Sequence, residues 1–148
     1  MKVYEALIGV ERLGLDSAPI IYYVEGNYDF HSLCSPFFEA IANGTLEAFT
    51  STITLPETLV HPFRNNDNSR ITAFRNLLLH TKGIATTPLS VAIADRSARL
   101  RADYNLRTPD AVQLATALHT SCDSFLTNDL RLRSVSELKI IVLSELQL

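Results

Sequence analysis

The chain has 148 residues, 47% of them apolar, which is enough for one ordinary domain with a filled core. A net charge of -3 excludes a strongly basic nucleic-acid-coating protein, and five glycines and six prolines leave no material for a long disordered tail or low-complexity linker. No apolar run is long enough to span a membrane, and the N-terminus, with Glu5 and Glu11, is not of signal-peptide type, so a soluble, cytoplasmic protein is expected.

The first predicted element is a short strand, Arg12 to Leu15, running straight into Asp16. A helix is predicted from Pro19 to about Glu25, since proline suits the first helical turn. After a break at Asn27, Tyr28 and Asp29, Ser35 to Asn43 reads as a second helix, with Phe37, Phe38, Ile41 and Ala42 at helical spacing and Gly44 past its end. Glu47 to Leu55 alternates and is rich in Thr, Ile and Phe, which predicts a strand. Pro56 opens a helix to about Phe63. Ser69 to Thr81 is helical, with Ile71, Phe74, Leu77 and Leu78 on one face. Ile84 to Thr87 is a short strand and Leu89 to about Tyr104 a long helix. Thr108 is expected to cap the helix from Pro109 to Thr120. Strands at Ser124 to Thr127 and Leu138 to Leu143 complete the chain. Strands alternating with helices predict an α/β fold, a central parallel sheet covered on both faces, in a single domain of residues 1–148 with residues 1–10 as an N-terminal extension.

Ligand sites in open parallel sheets form outside the carboxyl ends of the strands. Asp16 follows the first strand, Glu57 lies in the first helical turn after the second, and Asp129 follows the strand ending at Thr127. Asp110 opens a helix that must pack on the same sheet. Each acid alone has an ordinary structural explanation. Thr54 and Glu57 match a capping box, Asp110 complements a helix dipole, and Asp16 and Asp129 suit turns or caps. Together, four carboxylates at one sheet end would raise one another's pKa, and a hard divalent cation resolves that conflict. Mg²⁺ or Mn²⁺ prefers oxygen ligands, retains waters for phosphates, and activates water for phosphodiester cleavage.

Leu15-Asp16-Ser17, Pro56-Glu57, Pro109-Asp110-Ala111 followed by Leu114-Ala115-Thr116-Ala117, and Leu126-Thr127-Asn128-Asp129 resemble, in order and spacing, the successive motifs of PIN domains, most nearly those of VapC-type toxins of bacterial toxin–antitoxin pairs. The resemblance runs from Leu15 to about Val142. It implies a three-layer α/β/α sandwich, Mg²⁺ or Mn²⁺ dependence and cleavage of single-stranded RNA. It also implies homodimers and a cognate antitoxin whose tail covers the groove. By the same resemblance Asp16, Glu57, Asp110 and Asp129 are the metal-binding acids, and Ser17 and Thr127 support them by hydrogen bonds. About fifteen residues precede Asp16, more than the family usually has; they are read as an extra strand or as a start codon set too early.

Arg96, Arg99, Arg101, Arg107, Arg131 and Arg133 flank Asp110 and Asp129. Most are expected to form a solvated face, with Asp95 and Arg99 paired at i,i+4, while Arg131 is the candidate substrate contact. His31, His61, His80 and His119 have no zinc spacing, and Cys34 and Cys122 are expected to be reduced and buried. Tyr22 and Tyr23 are core or surface residues before they are a base-stacking platform or dimer contact. There is no phosphate-binding glycine loop. The alternative function is a catalytically inactive PIN-like RNA-binding or regulatory protein. A signal-receiver domain is disfavoured because its late lysine would have to be Lys139, inside a strand. A haloacid-dehalogenase-type phosphatase is disfavoured because Ala18 stands where its second acid would be.

Overall fold

The structure is a computed structural model describing residues 1–148. Five strands, β1 (Arg12–Leu15), β2 (Glu47–Ser51), β3 (Ile84–Thr87), β4 (Ser124–Thr127) and β5 (Lys139–Val142), form one sheet in the order β3-β2-β1-β4-β5, every pair parallel. The helices are α1 (Val3–Leu7), α2 (Ser17–Glu25), α3 (His31–Ala42), α4 (Thr54–Arg64), α5 (Asn68–His80), α6 (Val91–Tyr104) and α7 (Thr108–His119). A 3₁₀ turn, Leu130–Ser134, links β4 to β5.

Alternation along the strands sorts side chains into two cores. Leu13, Leu15, Ala48, Leu126 and Ile141 join the core beneath α1 to α5, whereas Phe49 and Phe125 join the core beneath α6 and α7. This is the three-layer α/β/α sandwich expected from the sequence. Gly14 faces α7 so closely that a Cβ there would meet Ala117 Cβ and Phe125 Cδ2 at 2.7 Å each. The chain moves from β1 outward to β3 and then returns to β4 on the other side of β1, so the topological switch point lies between β1 and β4.

Several boundaries differ from the expected ones for local reasons. Residues 3–7 form a helix where an extra strand was one expectation. The Glu5 carboxylate accepts from Lys2 N at 2.8 Å and Val3 and Ala6 are buried, while Lys2 bridges to Gln147. The predicted strand from Glu47 stops at Ser51, because its hydroxyls bond locally: Ser51 Oγ accepts from Ile53 N at 3.2 Å and Thr54 Oγ1 lies 2.8 Å from Thr50 Oγ1. The capping box expected at Thr54 and Glu57 is absent; Ile53 is the N-cap and has no side-chain cap bond. Helix α2 starts at Ser17, earlier than Pro19, because Asp16 caps it, and α3 starts at His31 with Pro36 inside it. Thr108 is the first residue of α7 and Arg107 the N-cap, so Thr108 is no cap. Arg99 pairs with Asp103 at 3.9 Å, correcting the expected Asp95 pair.

Candidate active site

Asp16 leaves the end of β1 with its backbone N–H donating to Leu126 O at 3.0 Å, which ties it to β4 at the switch point. Its carboxylate caps α2, accepting from Ser17 N at 2.8 Å, and accepts from Thr127 Oγ1 at 2.6 Å. Both donors are neutral and the residue is only 9% exposed. Burial therefore pushes the carboxyl up to about 6; the two hydrogen bonds pull it down, and nearby Asp110 and Glu57 raise it further.

Glu57, on the first turn of α4, is held by a set of hydroxyl and amide groups. Ser17 Oγ donates to Glu57 Oε1 at 2.7 Å, and Gln113 Nε2 lies 2.7 Å from Ser17 Oγ, 2.9 Å from Thr54 Oγ1 and 3.1 Å from Glu57 Oε1. The proton directions follow from the ends of this network. Thr50 Oγ1 spends its hydrogen on Leu15 O at 3.0 Å, so Thr54 must donate to Thr50. Thr54 and Ser17 have then both given their hydrogens away and need a donor. Gln113 can supply it only through its amide nitrogen. That orientation leaves Gln113 Oε1 buried without a partner, the cost of supplying a donor to Ser17, Thr54 and Glu57 together.

Asp110 and Asp129 form the other side. Asp110, 7% exposed on the first turn of α7, accepts from Arg107 Nε at 3.0 Å and Nη2 at 3.4 Å. Asp129 caps the 3₁₀ turn, accepting from Arg131 N at 3.0 Å, while its own N–H donates to Thr127 Oγ1 at 3.0 Å. The Arg131 guanidinium adds Nε to Oδ1 at 3.0 Å and Nη2 to Oδ2 at 2.7 Å. Hydrogen bonding and charge from Arg131 hold the Asp129 carboxyl below the usual carboxylate range.

Asp16, Ser17, Glu57, Arg107, Asp110 and Asp129 all line one open cleft of about 550 Å³ at the carboxyl ends of the strands. Thr127 lies behind it, and Arg131 lines an adjoining cavity. A cleft of about 370 Å³ near the opposite end, around Ile41, Gly44, Leu46, Glu47 and Lys82, brings no cluster of acids together. The donor set at the switch point is all carboxylate oxygen, with the buried Asp16 charge uncompensated. It therefore suits a hard divalent cation in chemistry. No three acidic, histidine or cysteine side chains are placed so that they could hold a metal ion together as they stand. Asp110 and Asp129 are turned to guanidiniums, and Glu57 to Ser17 and Gln113.

Sequence reasoning missed two residues here. Gln113 sits inside an apolar run, and its signal is a lone amide among residues that are all buried from Asp110 to Ala117. Arg107 went unseparated from its neighbours; its signal is the i,i+3 spacing to Asp110 across a helix start. The tyrosine pair points inward: Tyr22 stacks on Phe30 at 4.8 Å, and Tyr23 packs against Phe38 at 4.0 Å and His31 at 5.5 Å. Both cysteines are unpaired and buried, which pushes Cys34 up to about 12 and Cys122 to about 11. No helix is long and apolar enough to cross a membrane.

The model of the PIN domain matches residues 14–138. No curated protein sequence matches the chain. Among solved structures, the chain is similar to VapBC2 from Rickettsia felis bound to a DNA fragment from its promoter, with a TM-score of 0.70, 13% identity and coverage of 88% of this chain and 98% of that one. A toxin–antitoxin complex from Klebsiella pneumoniae is similar with a TM-score of 0.68 and 22% identity, covering 89% and 97%. VapC20 from Mycobacterium tuberculosis, a sarcin-ricin loop cleaving toxin, gives a TM-score of 0.63 and 11% identity, covering 78% and 87%. At these identities the likeness is one of fold.

Proposed function

The chain belongs to the PIN domain family, and on that premise we propose that it is a divalent-metal-dependent endoribonuclease acting on single-stranded RNA, the toxin of a toxin–antitoxin pair. The observation that carries this reading is the convergence of Asp16, Glu57, Asp110 and Asp129 on one cleft at the switch point, with the buried Asp16 charge opposed by no cation of the protein. The toxin–antitoxin assemblies among the structural neighbours support the partner class, a cognate antitoxin, and the sarcin-ricin loop cleaving neighbour supports RNA as substrate. A homodimer and a cytoplasmic location belong to the same reading.

Asp16, Glu57, Asp110 and Asp129 would hold Mg²⁺ or Mn²⁺. The bound ion would supply a water of lowered pKa and charge stabilisation for the leaving oxygen. The chain's own residues orient this site. Thr127 and Ser17 N fix the Asp16 carboxylate on the strand ends, and Ser17 with Gln113 fixes Glu57. Ser17, the serine that lines the cleft, is a positioning group in this reading: it donates its hydrogen to Glu57 and accepts from Gln113.

The test is cleavage of a labelled single-stranded oligoribonucleotide by the purified chain. Cleavage is expected with Mg²⁺ or Mn²⁺, is expected to stop on exhaustive chelation, and should fall by at least about a hundredfold in Asp16→Asn. Full activity in that variant or after chelation rejects the reading; RNA binding without turnover at any metal concentration favours the inactive binding protein.

A further inference from the structure

A second cavity, of about 170 Å³, opens off the acidic cleft and shares Arg107, Asp110 and Asp129 with it as a common wall. Its remaining lining comes from the end of α6 and the 3₁₀ turn, including Tyr104, Asn105 and Arg131. Arg107 thus stands between the two spaces, and Arg131 lines the second. Each guanidinium is largely exposed, at 65% and 70%, and each is tied to a single carboxylate, leaving one Nη of each arginine with no partner in the protein.

Neither guanidinium is needed to place its acid. Asp129 is fixed by backbone and hydroxyl, through its own N–H to Thr127 Oγ1 and its carboxylate from Arg131 N. Asp110 is fixed by its place on the first turn of α7 and is compensated there by the helix N-terminus. Exposed ion pairs of this kind are weak and easily exchanged. A divalent cation competes for the same carboxylate oxygens, and a guanidinium released from a carboxylate pairs equally well, in the same forked geometry, with a phosphate.

We propose that Arg107 and Arg131 form a phosphate subsite in the second cavity, exchanging from Asp110 and Asp129 to an RNA backbone phosphate when a divalent cation takes those two acids. The inference rests on the nuclease reading and names the substrate group bound beside the acidic cleft. It makes the two arginines competitors of the metal and partners of the substrate, so removing either has effects of opposite sign. An ion pair that only stabilises the fold has no such signature.

The full chain and the variants Arg107→Gln, Arg131→Gln and Arg131→Lys test this by two readouts independent of cleavage. Calorimetric titration with Mn²⁺ alone is expected to show affinity raised about two- to fivefold in each Gln variant, the worth of an exposed ion pair. Fluorescence anisotropy of a labelled single-stranded oligoribonucleotide, with Ca²⁺ as the cation and KCl varied, is expected to show weaker binding. The slope of log affinity against log salt should fall by about 0.7 for each arginine removed and be restored in Arg131→Lys. Unchanged or weaker Mn²⁺ binding, or an unchanged salt slope, overturns the proposal. If the parent chain meanwhile cleaves RNA, only the subsite falls; a parent chain that takes neither Mn²⁺ nor RNA overturns both readings.

Discussion

Asp16 and Asp129 follow adjacent strands, line the same cleft and share a hydrogen-bonding partner in Thr127, yet their surroundings are opposite. Asp16 belongs to a buried wall in which every donor is neutral: a backbone N–H, the hydroxyls of Ser17 and Thr127, and the amide of Gln113 that serves Glu57 beside it. Asp129 belongs to a rim where the compensation is cationic, an exposed arginine for each acid. The wall orients charge without neutralising it and leaves a carboxyl pushed up to about 6. The rim neutralises charge with side chains that can leave. The difference teaches that uncompensated carboxylate charge is concentrated on the buried side, and exchangeable ion pairs on the exposed side.

The largest effect that would test this contrast is at Asp16. Its folded pKa lies above its ordinary value of 3.8, so its favourable contribution to stability is complete below pH 3.8 and is lost as pH rises through about 6. At pH 7 the ionised group therefore costs about 3 kcal/mol. Asp16→Asn is expected to be more stable than the parent at pH 7 by about 1–2 kcal/mol, after allowance for altered hydrogen bonds. The advantage should vanish below pH 3.8 in denaturant unfolding. A variant less stable at pH 7 would break the contrast. Next in size is Gln113→Leu, which strips a donor from Ser17, Thr54 and Glu57 but also removes the orphaned Oε1. A loss of about 1 kcal/mol is expected, with cleavage reduced about tenfold as Glu57 loosens. Stability lost without any change in cleavage would make the amide purely structural. The smallest effect belongs to the rim. The depressed Asp129 carboxyl contributes stability above its ordinary pKa that is lost as pH falls through the lowered value. Arg131→Gln should return the Asp129 titration, followed by carboxyl NMR, toward its usual range, with only a small loss of stability at pH 7.

The wall and the rim were unequally legible in the sequence. The four acids announce themselves because each stands just past a strand or on the first turn of a helix, positions that topology assigns to one end of the sheet. The short strands β1, β3, β4 and β5 and the cores behind them could likewise be read from apolar runs and alternation. Helix α1 could not, since five residues do not make a stable helix alone and its place depends on burial of Val3 and Ala6 and on the distant Gln147. The end of β2 was misread because Thr50, Ser51 and Thr54 carry strand propensity while their hydroxyls serve turns and the network leading to Glu57. Gln113 was hidden for a related reason: a buried amide has no meaning until its partners, 96, 59 and 56 positions away along the chain, are known.

The close packing at Gly14 reaches further than its own neighbourhood. Strand β1 delivers Asp16 and helix α7 delivers Asp110 and Gln113, and the spacing between these two elements is set where Gly14 meets Ala117. One added methyl at position 14 would act as a wedge, levering the helix off the sheet and drawing its acid and amide away from the strand's. The calibration of the acidic cleft is thus entrusted to a hydrogen atom that touches none of it.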